Sequence, residues 1–239
     1  LGLVMAAGRQ QRWMAVADDL TGAADLAGNL ARPGLPLRVS GSAVALRSDD
    51  GSRVLDAATR FLSAGAARQA VTAAWTRLSA PRGPILRYQK IDSTLRGQPG
   101  AEIEGFVSAT QAPWVAVLPA YPAFGRHIRG GRLMVRGQPL LRTEYARDPL
   151  SPARTENVSA LFPAGTSIHA GAALLRRGPR ALTAWLLQRP RNRRFITFDC
   201  EDDAQLRCVA EASLAAGCRH FAGGSGLGAA LALRLHGPL

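Results

Sequence analysis

Residues 84–118 read PILRYQKIDSTLRGQPGAEIEGFVSATQAPWVAVL. The apolar run from Pro84 to Tyr88 predicts a strand, and Ala101 to Ala109 has the period of a helix. Trp114 to Leu118 is short and wholly apolar, which is typical of a strand in the centre of a parallel sheet. A strand, a helix and a second strand in this order indicate a β-α-β unit with parallel strands.

The same alternation extends in both directions from this unit. Further strands are predicted at Met14–Ala17, Leu37–Val39, Val44–Leu46, Arg53–Leu55, Thr166–His169, Phe195–Phe198 and His220–Ala222. Further helices are predicted at Thr21–Leu30, Ala64–Leu78, Arg180–Leu187, Asp202–Ala216 and Leu227–Leu235. We therefore predict an α/β fold with a mainly parallel sheet and flanking helices.

Residues 119–152 break this alternation, because they are rich in Gly, Pro and Arg and have no helical period. Leu133 to Val135 and Leu140 to Leu141 flank the sequence Arg136-Gly137-Gln138-Pro139, which predicts a hairpin flap. Loop-rich insertions of this length in a compact domain usually serve a function. We expect the insertion around 119–152 to do so here.

The composition is that of a globular protein, with 47% apolar and 20% charged residues. No apolar run approaches the roughly 20 residues of a membrane-spanning helix, and Leu1 to Met14 lacks the apolar core of a signal peptide. We expect a soluble, cytoplasmic protein with no membrane partner. Cys200, Cys208 and Cys218 lack the spacing of a zinc site, so we expect buried free thiols.

The net charge of +13 comes from 30 basic residues, of which only Lys90 is a lysine. Basic residues neutralise phosphates, so a nucleic-acid-binding protein is an alternative. We do not favour it, because the arginines are spread along the chain and no recognised nucleic-acid motif is present. The compact ammonium of Lys90 differs in shape and hydration from a guanidinium. Both a functional site and a structural ion pair would explain a single lysine.

Polar clusters follow three of the predicted strands, at the edge where open parallel sheets bind ligands. Asp18 and Asp19 can hold hydroxyls, bind a metal or act as a base, and the alternative is that Asp19 or Thr21 only caps the helix. The segment Lys90-Ile-Asp-Ser-Thr-Leu-Arg-Gly97 combines charge for an anion with acceptors for hydroxyls. A turn with a local ion pair is the alternative. The glycine-rich stretch 222–228 suits either a phosphate or close strand–helix packing.

Together these clusters resemble the four-carbon acid sugar kinases. The resemblance covers nearly the whole chain in order, and the segment from Lys90 to Gly97 is its most specific part. The matching residues are Ala17-Asp18-Asp19-Leu20-Thr21-Gly22-Ala23, Thr59-Arg60, Lys90 to Gly97, Leu118-Pro119-Ala120-Tyr121-Pro122, Gly125-Arg126, Gly130, Thr143 to Leu150 and Gly224-Ser225-Gly226-Leu227.

The resemblance implies one half of a two-domain kinase. Residues 1–222 would form the sugar-acid-binding α/β domain, and residues 223–239 the glycine-rich loop and the start of a nucleotide-binding half whose remainder is absent. The implied reaction is phosphorylation of a threonate, erythronate or 3-oxo-tetronate type acid by ATP with Mg²⁺. A separate C-terminal kinase half and a second copy of the chain are the implied protein partners. The alternative is a stand-alone sugar-acid-binding module without catalysis.

The resemblance and the chemistry together assign the site residues. Asp19, Lys90 and Asp92 are expected to be catalytic, with Asp19 or Asp92 as the base. Substrate binding is assigned to Asp18, Arg60, Ser93, Arg96, Gly97 and Arg126, with Arg60, Lys90 and Arg96 facing the carboxylate and the transferring phosphate. Ser225 and Gly226 are expected to touch the nucleotide, and no residue is assigned to a metal.

Overall fold

Residues 11–31, 36–41, 51–78 and 85–238 are described by a computed structural model. Within them the strands are β1 (Arg12–Ala17), β2 (Leu37–Gly41), β3 (Ser52–Asp56), β4 (Ile85–Lys90), β5 (Val115–Leu118), β6 (Arg126–Arg129), β7 (Arg132–Val135), β8 (Gln138–Pro139), β9 (Ser167–Ala170), β10 (Phe195–Phe198) and β11 (His220–Gly223). The α-helices are α1 (Leu20–Leu30), α2 (Ala64–Arg77), α3 (Pro99–Thr110), α4 (Ala172–Leu175), α5 (Gly178–Leu187), α6 (Asp203–Ala215) and α7 (Ser225–His236).

Eight strands form one sheet in the order β2-β3-β1-β4-β11-β5-β10-β9. Neighbouring strands are parallel throughout, which confirms the predicted α/β fold with a mainly parallel sheet. The register aligns the last residues of five adjacent strands, namely Asp56, Ala17, Lys90, Gly223 and Leu118. The loops that follow these strands therefore open at one edge of the sheet.

The helices cover both faces of the sheet. Helices α1, α7, α6 and α5 pack side by side, and α2 packs against α3. Adjacent residues of a strand point to opposite faces, and β4 shows which layer lies on which face. The Tyr88 hydroxyl donates to the Gly224 carbonyl at 2.5 Å on the α7 side. Trp75 of α2 donates to the Gln89 side chain at 2.8 Å on the other side.

The last helix belongs to the same body as the sheet. Leu227 and Leu231 of α7 are fully buried, and the helix packs between α1 and α6. Near its end, His236 accepts a hydrogen bond from the Trp13 indole of the first strand at 3.1 Å. Residues 223–236 thus pack with the elements that precede them, while the proposed division of the chain at residue 222 stays a prediction.

The insertion forms a three-stranded antiparallel sheet, β6-β7-β8, which we call the flap. The strand predicted at Leu133–Val135 is confirmed within β7. The strand predicted at Leu140–Leu141 is wrong, since a 3-10 turn over Leu140–Arg142 is closed there by the Thr143 amide donating to the Leu140 carbonyl. Strand β6 was not predicted from the sequence.

Hydrogen bonds join the flap to the end of β10. Ile128 and Cys200 exchange two backbone hydrogen bonds, of 2.7 and 2.8 Å. The buried Asp199 accepts from the Gly131 and Ala172 amides, each at 2.9 Å, and lies 3.2 Å from His169 Nε2. Because these groups are largely shielded from water, we infer that the base of the flap is held rigidly.

Other sequence predictions have mixed outcomes. The strand predicted at Val44–Leu46 lies outside the described residues. The short helix α4 was not predicted, since a single turn has no detectable period.

The cysteines are free, with Cys200 and Cys218 buried and Cys208 half-buried. In the described part of the chain, no helix has the length and apolar character needed to cross a membrane.

Candidate functional site

The predicted site residues converge at the carboxyl ends of β1, β3, β4 and β11. Asp18 and Asp19 follow β1, Arg60 follows β3, Lys90 ends β4, and Ser225 follows β11. Strand β1 lies between β3 and β4, so the chain leaves it to one side and later returns on the other. This is the type of switch point at which open α/β sheets bind ligands.

The Arg60 guanidinium lies at the centre of a group of three carboxylates. Its Nε and Nη2 atoms lie 2.6 and 2.5 Å from Asp18 Oδ2. Nη2 is also 3.1 Å from Asp19 Oδ2 and 3.7 Å from Asp92 Oδ1. Burial alone would lower the pKa of Arg60, but the surrounding carboxylates raise it above its ordinary value. Arg60 therefore stays charged and holds these acids together.

Asp92 is the acceptor in a second ion-paired group. Its Oδ2 accepts from Arg96 Nε at 2.9 Å and from the Thr94 hydroxyl at 2.5 Å. Arg96 also contacts Asp148 Oδ2 at 3.2 Å. Burial opposes ionisation of Asp92, but Arg96 and Arg60 outweigh it and lower its pKa to about 2. Asp92 is thus a carboxylate at all ordinary pH values, and such a weak base is poorly matched to proton abstraction.

Lys90 differs from these arginines because it makes no direct ion pair with a carboxylate among the described residues. The side chain is buried, and Nζ donates to the Ile91 carbonyl at 3.0 Å. No carboxylate oxygen in the described part of the chain lies within 4.0 Å of it. The structural ion pair left open by the sequence is therefore not seen there. A buried ammonium of this kind suits an anionic ligand.

Gly22 leaves the space in which Lys90 and the two acids meet. A Cβ at this position would lie 2.9 Å from Lys90 Nζ, 2.7 Å from Asp19 Oδ1 and 3.4 Å from Asp18 Oδ1. Asp19 also caps α1, since its Oδ1 accepts from the Gly22 amide at 2.6 Å. Asp18 Oδ1 is buried and has no hydrogen-bond partner among the described residues, and burial raises the Asp18 pKa. The capping alternative thus accounts for Asp19 but not for Asp18.

The flap contributes a cation at the rim of the site. Arg126 Nη2 donates to the Tyr145 hydroxyl at 3.1 Å. The guanidinium carbons of Arg96 and Arg126 lie 5.4 and 5.9 Å from the centre of the Tyr145 ring, within cation–π range. Among the described residues Arg126 has no carboxylate partner, and its Nε is buried without a hydrogen bond.

Gly97 and Ser93 are also near the site, but Gly97 has a packing role. Its φ is +77°, and a Cβ there would lie 3.2 Å from the Arg60 carbonyl oxygen. Gly97 thus allows the loop after β4 to pack against Arg60. The Ser93 Cβ would lie 3.2 Å from a Cβ placed at Gly224, which brings the loop after β4 next to the start of α7.

Replacing Gly97 by alanine is expected to lower the free energy of unfolding by about 1–2 kcal/mol, because an L-residue is strained at positive φ. The added Cβ would also press on the Arg60 backbone. Gly137→Ala is the matched control, since φ is +81° there and nothing lies within 4 Å. Urea unfolding of both variants measures the difference. Equal losses of unfolding free energy in Gly97→Ala and Gly137→Ala would show that contact with Arg60 does not add to the cost of the substitution.

Close packing is sufficient to explain the glycines around α7. A Cβ at Gly223 would lie 2.2 Å from the Leu118 carbonyl oxygen, and one at Gly226 would lie 3.0 Å from that of Ala120. The first turn of α7 has no side-chain cap, and the Ser225 hydroxyl is buried without a partner among the described residues. No side-chain cap therefore competes with a phosphate for the amides at the helix start. No group of three His, Cys, Asp or Glu residues in the described ranges could hold a metal ion.

The site contains functional groups to which the sequence assigned no role. Glu102 of α3 is buried and accepts from the Thr59 hydroxyl at 2.9 Å. An acid in the first turn of a helix is normally a solvated residue favoured by the helix dipole, so nothing local signalled its burial. Tyr145 and Asp148 reach Arg96 from the end of the insertion, and only the folded chain shows that contact.

The chain is similar in sequence and fold to several known proteins. A family model described as "Sugar-binding N-terminal domain" matches residues 13–231. A D-threonate kinase from Salmonella typhimurium is 32% identical over 212 residues, which are 84% of this chain and 48% of that protein. A 3-oxo-tetronate kinase from Actinobacillus succinogenes is 30% identical over 231 residues, 93% of this chain and 55% of that protein. The chain therefore spans about half the length of the curated relatives it matches.

A solved structure from Bordetella bronchiseptica has the same fold, with a TM-score of 0.79 and 31% sequence identity. The match covers 94% of this chain and 57% of that one. That structure is described as a domain of unknown function with bound citrate, in a domain-swapped dimer.

Proposed function

This chain belongs to the family of sugar-binding N-terminal domains, and we propose that it binds a four-carbon sugar acid as the substrate half of an ATP-dependent sugar-acid kinase. The observation that carries the proposal is the buried Lys90, which makes no direct ion pair within 4.0 Å among the described residues although the carboxylates of Asp18 and Asp19 lie nearby. An acid of the threonate, erythronate or 3-oxo-tetronate type carries one carboxylate and several oxygens on a short chain. The names of the relatives support this substrate class.

The contacts suggest a division of roles among the cations. Arg60 and Arg96 already contact protein carboxylates, so we assign them to positioning those acids. Lys90 is then the group for the substrate carboxylate, with Arg126 as a second cation at the rim. Asp18, Asp19 and Ser93 would accept or exchange hydrogen bonds with the hydroxyls of the sugar acid.

For phosphoryl transfer we assign the base role to Asp19 rather than to Asp92. The Asp19 side chain is 30% exposed and can reach a bound hydroxyl, whereas the pKa of Asp92 is lowered to about 2. ATP would supply the transferred phosphoryl group. We assign contact with its phosphates to Ser225 and Gly226, at the uncapped start of α7. We assign no residue of this chain to Mg²⁺.

Exposed apolar side chains near the site residues suggest that a second protein surface covers the site. We call these side chains the apolar rim. Leu20, Phe61, Phe124 and Leu150 are 58–74% exposed and are close in sequence to Asp19, Arg60, Arg126 and Asp148. Solvent-exposed apolar side chains around a polar cleft mark interaction surfaces. We propose a nucleotide-binding kinase half as the partner that covers this rim. A homodimer is the second proposed partner, as the Bordetella structure suggests.

Calorimetric titration of the chain tests the proposed substrate class. The ligands are D-erythronate, D-threonate, L-threonate and 3-oxo-tetronate, with ATP and Mg²⁺ titrated separately. One acid is expected to bind saturably, and Lys90→Ala is expected to weaken binding about 10–100-fold, because a charge-assisted hydrogen bond is lost. Arg180→Ala, which removes an exposed arginine of α5, is the charge-matched control. Absence of binding by every acid, or equal loss in both variants, would contradict the proposal.

A further inference from the structure

Glu102 is a buried carboxyl group that the proposed function does not use. It is 1% exposed, on the first turn of α3. Its Oε1 accepts from the Thr59 hydroxyl, while the Thr59 amide donates to the Asp18 carbonyl at 2.8 Å. The next amide, that of Arg60, donates to the same carbonyl at 3.1 Å. Glu102 therefore holds the turn that places the Arg60 guanidinium against Asp18.

We propose that Glu102 is a positioning residue that carries a proton in the folded protein, and that binding of an anionic sugar acid is coupled to uptake of this proton. The coupling rests on the proposed function, because it requires an anion beside Lys90. The proton comes from the solvent and forms an O–H bond on the Glu102 carboxyl group.

The groups that face Glu102 explain why it favours the protonated form. They are Asp18 after β1, Thr59 and Arg60 after β3, and Lys90 at the end of β4. Burial disfavours the carboxylate most strongly and Asp18 adds repulsion, whereas Thr59, Arg60 and Lys90 favour it. The balance raises the Glu102 pKa to about 8. Glu102 is thus mostly protonated at neutral pH.

An arriving carboxylate would shift this balance further. It would partly neutralise Lys90 and Arg60, whose positive charges stabilise the ionised form of Glu102, and would itself repel a second negative charge. The protonated form is then favoured more strongly in the complex than in the free chain. By linkage, affinity falls as pH rises above about 8, approaching a tenfold loss per pH unit if only the protonated form binds.

The first test measures how the stability of the chain depends on pH, and it needs no ligand. A folded-state pKa raised above the unfolded value of 4.5 gives stability that is complete below that value and is lost as pH rises through about 8. The urea midpoint of the wild-type chain is therefore expected to fall between about pH 5 and about pH 8, and Glu102→Gln is expected to make this fall clearly smaller. Glu104 is on the same helix as Glu102 and forms an ion pair with Arg68 of α2. Glu104→Gln should retain the fall in stability.

A second variant keeps this test decisive if Glu102→Gln fails to fold. Thr59→Val removes the hydrogen bond that favours the ionised form, so the fall in stability should move to higher pH. An unchanged pH dependence in Glu102→Gln, or in Thr59→Val where the glutamine variant does not fold, would overturn the proposal.

The second test counts protons during binding of the acid that binds the wild-type chain. At about pH 8 the binding enthalpy is expected to vary with the ionisation enthalpy of the buffer, in the direction of proton uptake. Uptake should be smaller at about pH 6, and Glu102→Gln should abolish it at both pH values while retaining affinity at the lower one. Equal uptake in the two proteins would overturn the proposal. If no acid binds at any pH, the proposed function fails, and the stability test alone decides whether Glu102 carries the proton.

Discussion

Replacing Arg60 by glutamine is expected to lower the free energy of unfolding by about 3–5 kcal/mol at neutral pH, because it leaves buried carboxylates without their counter-ion. Arg60 contacts Asp18, Asp19 and Asp92, and its own side chain is 8% exposed. Asp18 would lose a partner while fully buried, which is the most costly of these effects. Urea unfolding at constant ionic strength measures the loss.

The pH dependence of this loss distinguishes lost charge pairing from poor packing. Arg60 helps to lower the pKa of Asp92 from 3.8 to about 2, and stability from such a group is present above 3.8 and disappears as pH falls through the lower value. The deficit of Arg60→Gln should therefore shrink in acid, where the aspartates are protonated in both proteins. Arg68→Gln is the control, because its ion pair with Glu104 is partly exposed and worth at most about 1 kcal/mol. A deficit that does not change with pH would contradict the electrostatic explanation.

Replacing Gly223 by alanine is expected to destabilise the protein by at least about 3 kcal/mol or to prevent folding, since a packed strand cannot accommodate the added methyl group. The Cβ would lie 2.2 Å from the Leu118 carbonyl oxygen and 3.2 Å from the Tyr88 hydroxyl. The first of these atoms is backbone, and β11 is held between β4 and β5. The clash can be relieved only by moving the strand.

Gly65→Ala is the matched control for that variant. Gly65 lies near the start of α2, and nothing lies within 4 Å of its added Cβ. Alanine there should raise the free energy of unfolding by about 0.5 kcal/mol, because alanine is the better helix former. Thermal unfolding of both variants gives opposite signs if local space is decisive. A Gly223→Ala protein as stable as the wild type would show that β11 is less tightly packed than the structure indicates.

The alternating elements could be predicted because each leaves a local pattern. Strands such as β5 are continuous apolar runs, and helices such as α2 show the helical period over three or more turns. The prediction was incomplete in the flap, where β6 depends on backbone hydrogen bonds to the distant Cys200 and a local hydrogen bond from the Thr143 amide closes a turn at Leu140. Short elements stabilised mainly by tertiary contacts carry little signal in their own residues.

The candidate site could likewise be predicted only in part. Asp18, Asp19 and Lys90 could be identified because the ends of parallel strands share one edge of the sheet. The ion pairs of Arg60 and the Arg96–Asp148 pair could not, since those acids come from other loops, whereas the Arg96–Asp92 pair is local to the loop after β4. Glu102 could not be distinguished from a surface acid, because its burial depends on Thr59, which is 43 residues away in the sequence.

The order of the strands gives the site a mechanical property. Strands β1, β4 and β11 lie side by side, although they come from the beginning, the middle and the end of the chain. A ligand that bridges the loops after these strands would tie distant segments together and would bind only when all of them are folded. Such a ligand would stabilise the folded state and raise the melting temperature of the whole domain by mass action. Local unfolding of β1 or of β11 would release the ligand.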